Sequence, residues 1–251
     1  MNPLASFPPV YYINLDHRQD RKKHMDEIIA TYSLQATRVS AVNGKKPMES
    51  YVERRPQNLR PVEIACTLSH LQAIREWYTT SDTNTAIICE DDVCFSEVPS
   101  WGCSWADIVA RLPAYWEVVQ LCIIYHPLQD KILNLHHRTT YDFSTAIYMI
   151  KRSYAQKLLQ LYWKEDIGKW NLDGAYYPLP LSAEEALYRP GVTLSLPLFV
   201  FMGTMGSDIQ SQEHQDQYHA FSKQLYHYVW KQYAGKGLSL LQMMPQQMIK
   251  K

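Results

Sequence analysis

The sequence predicts an α/β protein built on one mixed sheet flanked by helices, and three observations carry that reading. Short β-rich runs alternate with amphipathic stretches along the chain. Several of those runs end in turn signals, as strands do. No linker-like composition interrupts the 251 residues before their C-terminal end, so one domain over residues 1–234 and a tail over residues 235–251 are expected.

The first run, Pro9 to Ile13, closes on Asn14-Leu15-Asp16, and Met25, Ile28, Ile29 and Tyr32 then mark one face of a helix for which Asp16 is the expected N-cap. Thr37 to Val42 alternates as a second strand and ends at the turn Asn43-Gly44. Lys45 to Asn58 is polar and irregular. Pro61 suits the first turn of a helix carrying Ile64, Leu68, Leu71 and Tyr78, which Ser81 to Asn84 terminates.

The next strand, Ala86 to Val93, runs into three consecutive acids, Glu90, Asp91 and Asp92. Trp101, Trp105, Ile108 and Leu112 have helical spacing, and Pro113 stops that helix. Glu117 to Ile124 reads as a buried strand, His126 to Asp142 as a loop and Thr145 to Ile150 as a strand. Ser153 can cap the following helix. Residues 164–182 have the composition of an ordered binding loop. A short helix at Ala183–Tyr188 precedes a strand at Val192–Phe201, where Pro197 suggests an edge or a bulge. A glycine-bearing loop and a helix carrying Tyr218, Phe221, Leu225 and Val229 complete the domain. In such a sheet a ligand site is expected at the carboxyl ends of the strands.

With 46% hydrophobic residues the chain can bury a substantial core. Its 25 basic and 25 acidic residues cancel, which argues against a global field for nucleic acid or an anionic membrane. Five cysteines without a CxxC pairing suggest reduced, buried thiols. The N-terminus lacks a signal-peptide pattern, and no run approaches the roughly 18 apolar residues of a membrane span. A cytoplasmic protein with no transmembrane segment is the expectation.

The acid triplet is where chemistry is expected. Adjacent carboxylates repel one another unless something positive sits among them. Acids at a strand end are a recurrent way of holding Mg²⁺ or Mn²⁺, because hard cations take oxygen ligands. Glu90 and Asp92, two apart, would share one face of an extended chain. Downstream, Trp163, Trp170, Tyr176 and Tyr177 offer aromatic faces on which a sugar could stack, and His136-His137 reads as surface.

Six segments in order, Tyr12 to Arg21, Ala41 to Gly44, Glu63 to His70, Ala86 to Val93, Ala146 to Ala155 and Ser207 to Gln210, resemble glycosyltransferase family 25, which includes lipooligosaccharide and procollagen galactosyltransferases. The resemblance implies a GT-A-type, Rossmann-like nucleotide-sugar transferase fold. It also implies inverting transfer of a hexose, galactose or else glucose, from a UDP-sugar to a hydroxyl of a glycan or hydroxylated protein side chain, assisted by Mn²⁺ or Mg²⁺.

On that resemblance Asp92 is the first expected metal contact, with Glu90 and Asp208 completing the set. Asn14, Asp16, Arg18, Arg21, Asn43, Gly44, His70, Glu90 and Asp91 fall around the nucleotide, and His214 lies in the same late loop as Asp208. The base that takes the acceptor proton would be Glu184, preferred, or Asp173. Ala65 stands where family members often have glycine, Glu184 where an aspartate is expected, and the chain shows neither a second transferase domain nor a retention tail. The competing readings are a catalytically silent nucleotide-sugar-binding member and a metal-dependent phosphohydrolase.

Overall fold

Alternation along three neighbouring strands sets up the whole molecule, because each sends successive side chains to opposite faces of the sheet. The computed structural model describes residues 2–124, 134–173, 182–201, 205–209 and 219–234. Val10 and Tyr12 of β1 (Val10–Asn14), Ile87 and Cys89 of β4 (Thr85–Glu90), and Ile147 and Met149 of β8 (Ile147–Lys151) enter one core cluster. Tyr11, Ile13, Ala86, Ile88, Tyr148 and Ile150 enter the other. Both faces of the sheet are therefore covered by helices, as buried central strands require.

The first cluster is completed by Met25 and Ile28 of α1 (Gln19–Tyr32), Trp105 and Ile108 of α3 (Trp105–Val109), and Tyr226 and Trp230 of α6 (Ala220–Ala234). The second takes Leu68, Leu71, Ile74 and Trp77 of α2 (Pro61–Thr80), Tyr154 and Leu158 of α4 (Arg152–Tyr162), and Ala186 and Leu187 of α5 (Ala183–Tyr188). Helix α2 starts as the sequence predicts, with Pro61 in its first turn. Glu63 closes that first turn, its carboxylate accepting from the Arg60 amide at 2.7 Å.

The seven-stranded sheet has the order β2-β1-β4-β8-β6-β11-β7. Strand β2 (Ala36–Ser40), β1 and β4 are parallel. β8 is antiparallel to both β4 and β6 (Val118–Gln120), while β11 (Thr193–Ser195) is parallel to β6. The mixed sheet flanked by helices is thus what the chain forms. From β1 the chain steps outward to β2 and then returns to β4 on the other side, so the connections leaving β1 and β4 diverge and open a crevice at their carboxyl ends.

Several local expectations change. Asp16 does not cap α1: its carboxylate accepts from Arg38 at 2.6 Å and Ser40 at 2.9 Å. Ser153 lies inside α4, whose N-cap is Lys151. The expected strand Val192–Phe201 is divided, with β12 (Val200–Phe201) leaving the main sheet after Pro197 to pair with β5 (Val93–Cys94).

Two supposed loops contain strands. β7 (His136–His137) edges the main sheet, and β9 (Trp163–Lys164) with β10 (Lys169–Asn171) joins β3 (Val52–Arg54) in a three-stranded sheet. These strands are two or three residues long, and β7 and β3 pair with segments far along the chain, so no local periodicity announces them. All five cysteines are free, and no described helix is long and apolar enough to cross a membrane. Tyr176, Tyr177, His214 and residues 235–251 lie outside the described residues.

Candidate functional site

A cavity of about 570 Å³ opens over the carboxyl ends of β1 and β4. That is within the size range of small-molecule sites, roughly 300–1,000 Å³. Its wall is supplied by Ile13 and Leu15 at the end of β1, residues 41–45 after β2, the N-terminal half of α2, the acid triplet at the end of β4, Glu184 on α5 and the segment Ser207–Ile209. The topology alone therefore gathers most of the residues the sequence marks.

β4 stops at Glu90, and the chain turns at Asp91 and Asp92. That turn breaks the simple alternation expected for the triplet and sends each acid to a different partner. Asp91 is buried; it accepts from Asn14 Nδ2 at 2.7 Å and from the Arg21 guanidinium at 2.7 Å. Asp92 Oδ2 is ion-paired with the second arm of Arg21 at 2.9 Å, while its Oδ1 is buried without a hydrogen-bond partner. Burial, with Glu90 and Asp91 close by, pushes the Asp92 carboxyl up to about 7 although Arg21 opposes the shift.

Glu90 faces the other way, toward α2. Thr145 donates to its Oε1 at 2.8 Å, and His70 Nε2 lies 3.4 Å from the same oxygen. Burial works against its charge, but His70 and Thr145 hold its pKa below the usual carboxylate range. The positive charge that the triplet demands is thus supplied in part by the protein itself, through Arg21 for two acids.

Arg18 and Arg21 line the cavity, and both are engaged by carboxylates. Arg18 donates to Asp208 at 2.8 Å, to Asp20 at 2.8 Å and to the Met205 carbonyl. Arg21 also donates to the Gly206 carbonyl. These contacts tie the loop 205–209 to the start of α1. Burial opposes the charge on Asp208, yet Arg18 holds its pKa below the ordinary value. Asp208 therefore faces Arg18, and His17 at 3.5 Å, and forms no three-residue ligand group with Glu90 and Asp92 among the described residues.

Asn43 accepts from the Lys45 amide at 2.9 Å, which shapes the turn before Gly44. At Gly44 a Cβ would stand 2.6 Å from Val62 Cα and 2.9 Å from its nitrogen, both backbone atoms at the start of α2. Glycine is needed here because the turn after β2 presses against that helix. Gly44→Ala is expected to cost about 1–3 kcal/mol, read as a lowered thermal midpoint, and to shift the wall of the cavity.

Glu184 lines the cavity from the first turn of α5, where Ser182 caps the helix by accepting from the Glu185 amide at 3.4 Å. Its neighbour Glu185 is turned instead toward Arg138 at 3.6 Å and Arg189 at 3.7 Å. Asp173 is not brought to the cavity. It lies beyond β10, about half exposed, with Arg54 at 3.5 Å.

Asp16 is exposed and outside the lining, and Asn14 acts from beneath it by holding Asp91. Trp163 and Trp170 line a separate cavity of about 240 Å³ with Tyr51 and Gln72, where the Arg75 guanidinium covers the Trp163 ring at 4.1 Å. Sequence reasoning missed Ser69 and Thr145. Ser69 bonds the Val42 amide at 2.9 Å, and Thr145 precedes a recognisable strand but meets Glu90 only through the antiparallel pairing of β8 with β4.

Residues 7–104 match the family model described as glycosyltransferase family 25 (LPS biosynthesis protein). Over 105 residues the chain is 32% identical to procollagen galactosyltransferase 1-A of Xenopus laevis, an alignment covering 36% of this chain and 17% of that protein. The chain thus spans under a fifth of this curated relative's length.

Among solved structures, a glycosyltransferase involved in the glycosylation of the major capsid of PBCV-1 aligns with TM-score 0.46 at 9% identity, over 83% of this chain and 96% of that one. A197 from STIV aligns with TM-score 0.39 at 13% identity, over 77% and 84%. HddC from Yersinia pseudotuberculosis complexed with GMP-PN aligns with TM-score 0.40 at 9% identity, over 86% and 99%.

Proposed function

We propose that this chain, whose residues 7–104 match the family model of glycosyltransferase family 25, transfers a hexose, galactose by preference, from a UDP-sugar to a hydroxyl acceptor with inversion and with the help of Mn²⁺ or Mg²⁺. The observation that carries the reading is the buried, partnerless Oδ1 of Asp92 beside a cavity that is also lined by two arginines and five further acids, Glu63, Glu90, Asp91, Glu184 and Asp208. An all-oxygen donor at that point suits a hard divalent ion. Asp92 and Glu90 would hold it, and Asp208 would join only by exchanging Arg18 for the ion. When bound, such an ion offsets the charge that accumulates on a nucleoside diphosphate leaving group.

The remaining roles belong to the chain's own residues. Arg18, at the cavity wall, is placed to take a phosphate oxygen bidentately once its carboxylate partners yield. Arg21 stays on Asp91 and Asp92 and keeps both in place for the donor. Glu184, across the cavity on α5, takes the acceptor hydroxyl's proton as the bond to the anomeric carbon forms. Asp173, outside the cavity, is the weaker candidate for that task.

The decisive test is a UDP-sugar hydrolysis screen on the chelator-stripped protein, with and without Mn²⁺. Turnover that appears with Mn²⁺ and vanishes on chelation supports the reading. Calorimetric binding of UDP-sugars without turnover on any acceptor would make the protein a silent nucleotide-sugar-binding member, and release of inorganic phosphate from simple esters would make it a phosphohydrolase. Glu184→Gln is expected to lower transfer by about 10²–10⁴-fold while leaving calorimetric UDP binding intact. Full transfer activity in that variant would remove Glu184 from the base role.

A further inference from the structure

We propose that Cys66, His70 and Glu90 form a second metal position on the floor of the cavity, suited to a thiophilic divalent ion of the Zn²⁺ class. Helix α2 presents Cys66 and His70 four residues apart, one above the other on the face turned to the sheet. β4 delivers Glu90 at its last residue. Their ligand atoms all lie within 4.8 Å of one another, and they are the one such three-residue group among the described residues.

The histidine points to a ligand independently. His70 is 1% exposed, and its Nε2 is buried with no hydrogen-bond partner. That nitrogen faces Glu90 Oε1 at 3.4 Å. Two ligand atoms each about 2.0–2.2 Å from a tetrahedral ion are separated by about 3.3–3.6 Å, so this pair already has the spacing of one edge of such a site. At the far side of the ring, Nδ1 lies 3.3 Å from the Tyr148 hydroxyl. A bound ion would take Nε2 as a lone-pair donor in place of the proton that faces Glu90, and would favour the tautomer that donates from Nδ1 to Tyr148.

Thr145 donates to Glu90 at 2.8 Å and so holds that carboxylate beside the other two ligands. Thiolate, imidazole and carboxylate are a zinc donor set, whereas Mn²⁺ and Mg²⁺ favour oxygen alone. The fourth position faces the cavity, which all three residues line. Binding forms a metal–sulfur bond and releases the thiol proton to solvent, with no change in oxidation state. The proposal stands apart from the transferase reading, but it shares Glu90 with it, so an occupied thiolate site would compete with that residue's role toward the donor.

The test is a titration of the chelator-stripped full chain with Co²⁺ alone, followed by absorbance. Wild type and Asp92→Asn are expected to develop the thiolate-to-cobalt charge-transfer band, and added Zn²⁺ to abolish it. Cys66→Ser, which keeps the other four cysteines, should lack the band. His70→Gln should bind Zn²⁺ at least about tenfold more weakly. Absence of the band in folded wild type, or an unchanged band in Cys66→Ser, would overturn the proposal. Zn²⁺-edge X-ray absorption on loaded wild type keeps the question open to decision if Cys66→Ser does not fold: one sulfur neighbour supports the site and none refutes it. Mn²⁺-dependent hydrolysis of UDP-sugars is measured separately, so each reading can fail without the other.

Discussion

Asp92→Asn is expected to reduce Mn²⁺-dependent hydrolysis and transfer by at least about 10²-fold, the scale on which a positioned group that stabilises transition-state charge is lost. The same change is expected to stabilise the metal-free protein at neutral pH. Asn keeps an oxygen for the Arg21 arm now at 2.9 Å but carries no charge, while the native carboxyl is buried beside Glu90 and Asp91.

The sign follows from the shift. A carboxyl raised from 3.8 to about 7 binds its proton more tightly when folded, so wild-type stability falls as pH rises between those values. Asp92→Asn and wild type should therefore melt alike below the lower value and diverge above it. A gain of about 1 kcal/mol would appear as roughly 2–4 °C. Full activity in Asp92→Asn would sink the metal assignment; equal melting temperatures at pH 8 would show that the carboxylate is relieved in some other way.

Arg21→Ala should have the largest effect on folding. Arg21 is nearly buried and joins Asp91 at 2.7 Å, Asp92 at 2.9 Å and the Gly206 carbonyl. Removing one partner of a buried ion pair leaves the other charge uncompensated, a loss of about 3–5 kcal/mol. Urea unfolding reads that directly. Adding Asp91→Asn to Arg21→Ala should recover part of the loss, because Asn14 can still bond the new amide. If Arg21→Ala unfolds like wild type, the guanidinium is not what neutralises the triplet, and its role would have to be sought in ligand contact.

This pair of experiments separates two ways of reading the same arginine. The family resemblance put Arg18 and Arg21 alike around the nucleotide. Its partners are the acid turn and the Gly206 carbonyl, while Arg18 donates to Asp20, Asp208 and the Met205 carbonyl. The contact is long-range, between residues 70 apart in the chain, and nothing in either local segment announces it.

The sheet itself was written in the pattern. Alternating apolar residues in β1, β4 and β8 and the 3.6-residue spacing in α1 and α2 report burial on one face, and burial is a local property of periodic elements. The acid triplet at the end of β4 and the glycine turn after β2 were legible for the same reason, since strand ends and turns have their own residue chemistry. The site's location also followed, because a parallel strand order that diverges leaves its crevice at the carboxyl ends.

What only the tertiary structure decided is which atom of each acid meets what. The turn at Asp91 defeats the two-residue alternation, so Asp91 goes to Asn14 and Arg21, Glu90 goes to Thr145 and His70, and one oxygen of Asp92 is left over. The placement of Glu184 and Asp173 was likewise spatial: α5 carries the first to the cavity, and the second lies beyond β10, outside it. Periodicity is set over a few residues, whereas these pairings depend on how strands and helices from 20 (His70 to Glu90) to 190 (Arg18 to Asp208) positions apart are brought into register.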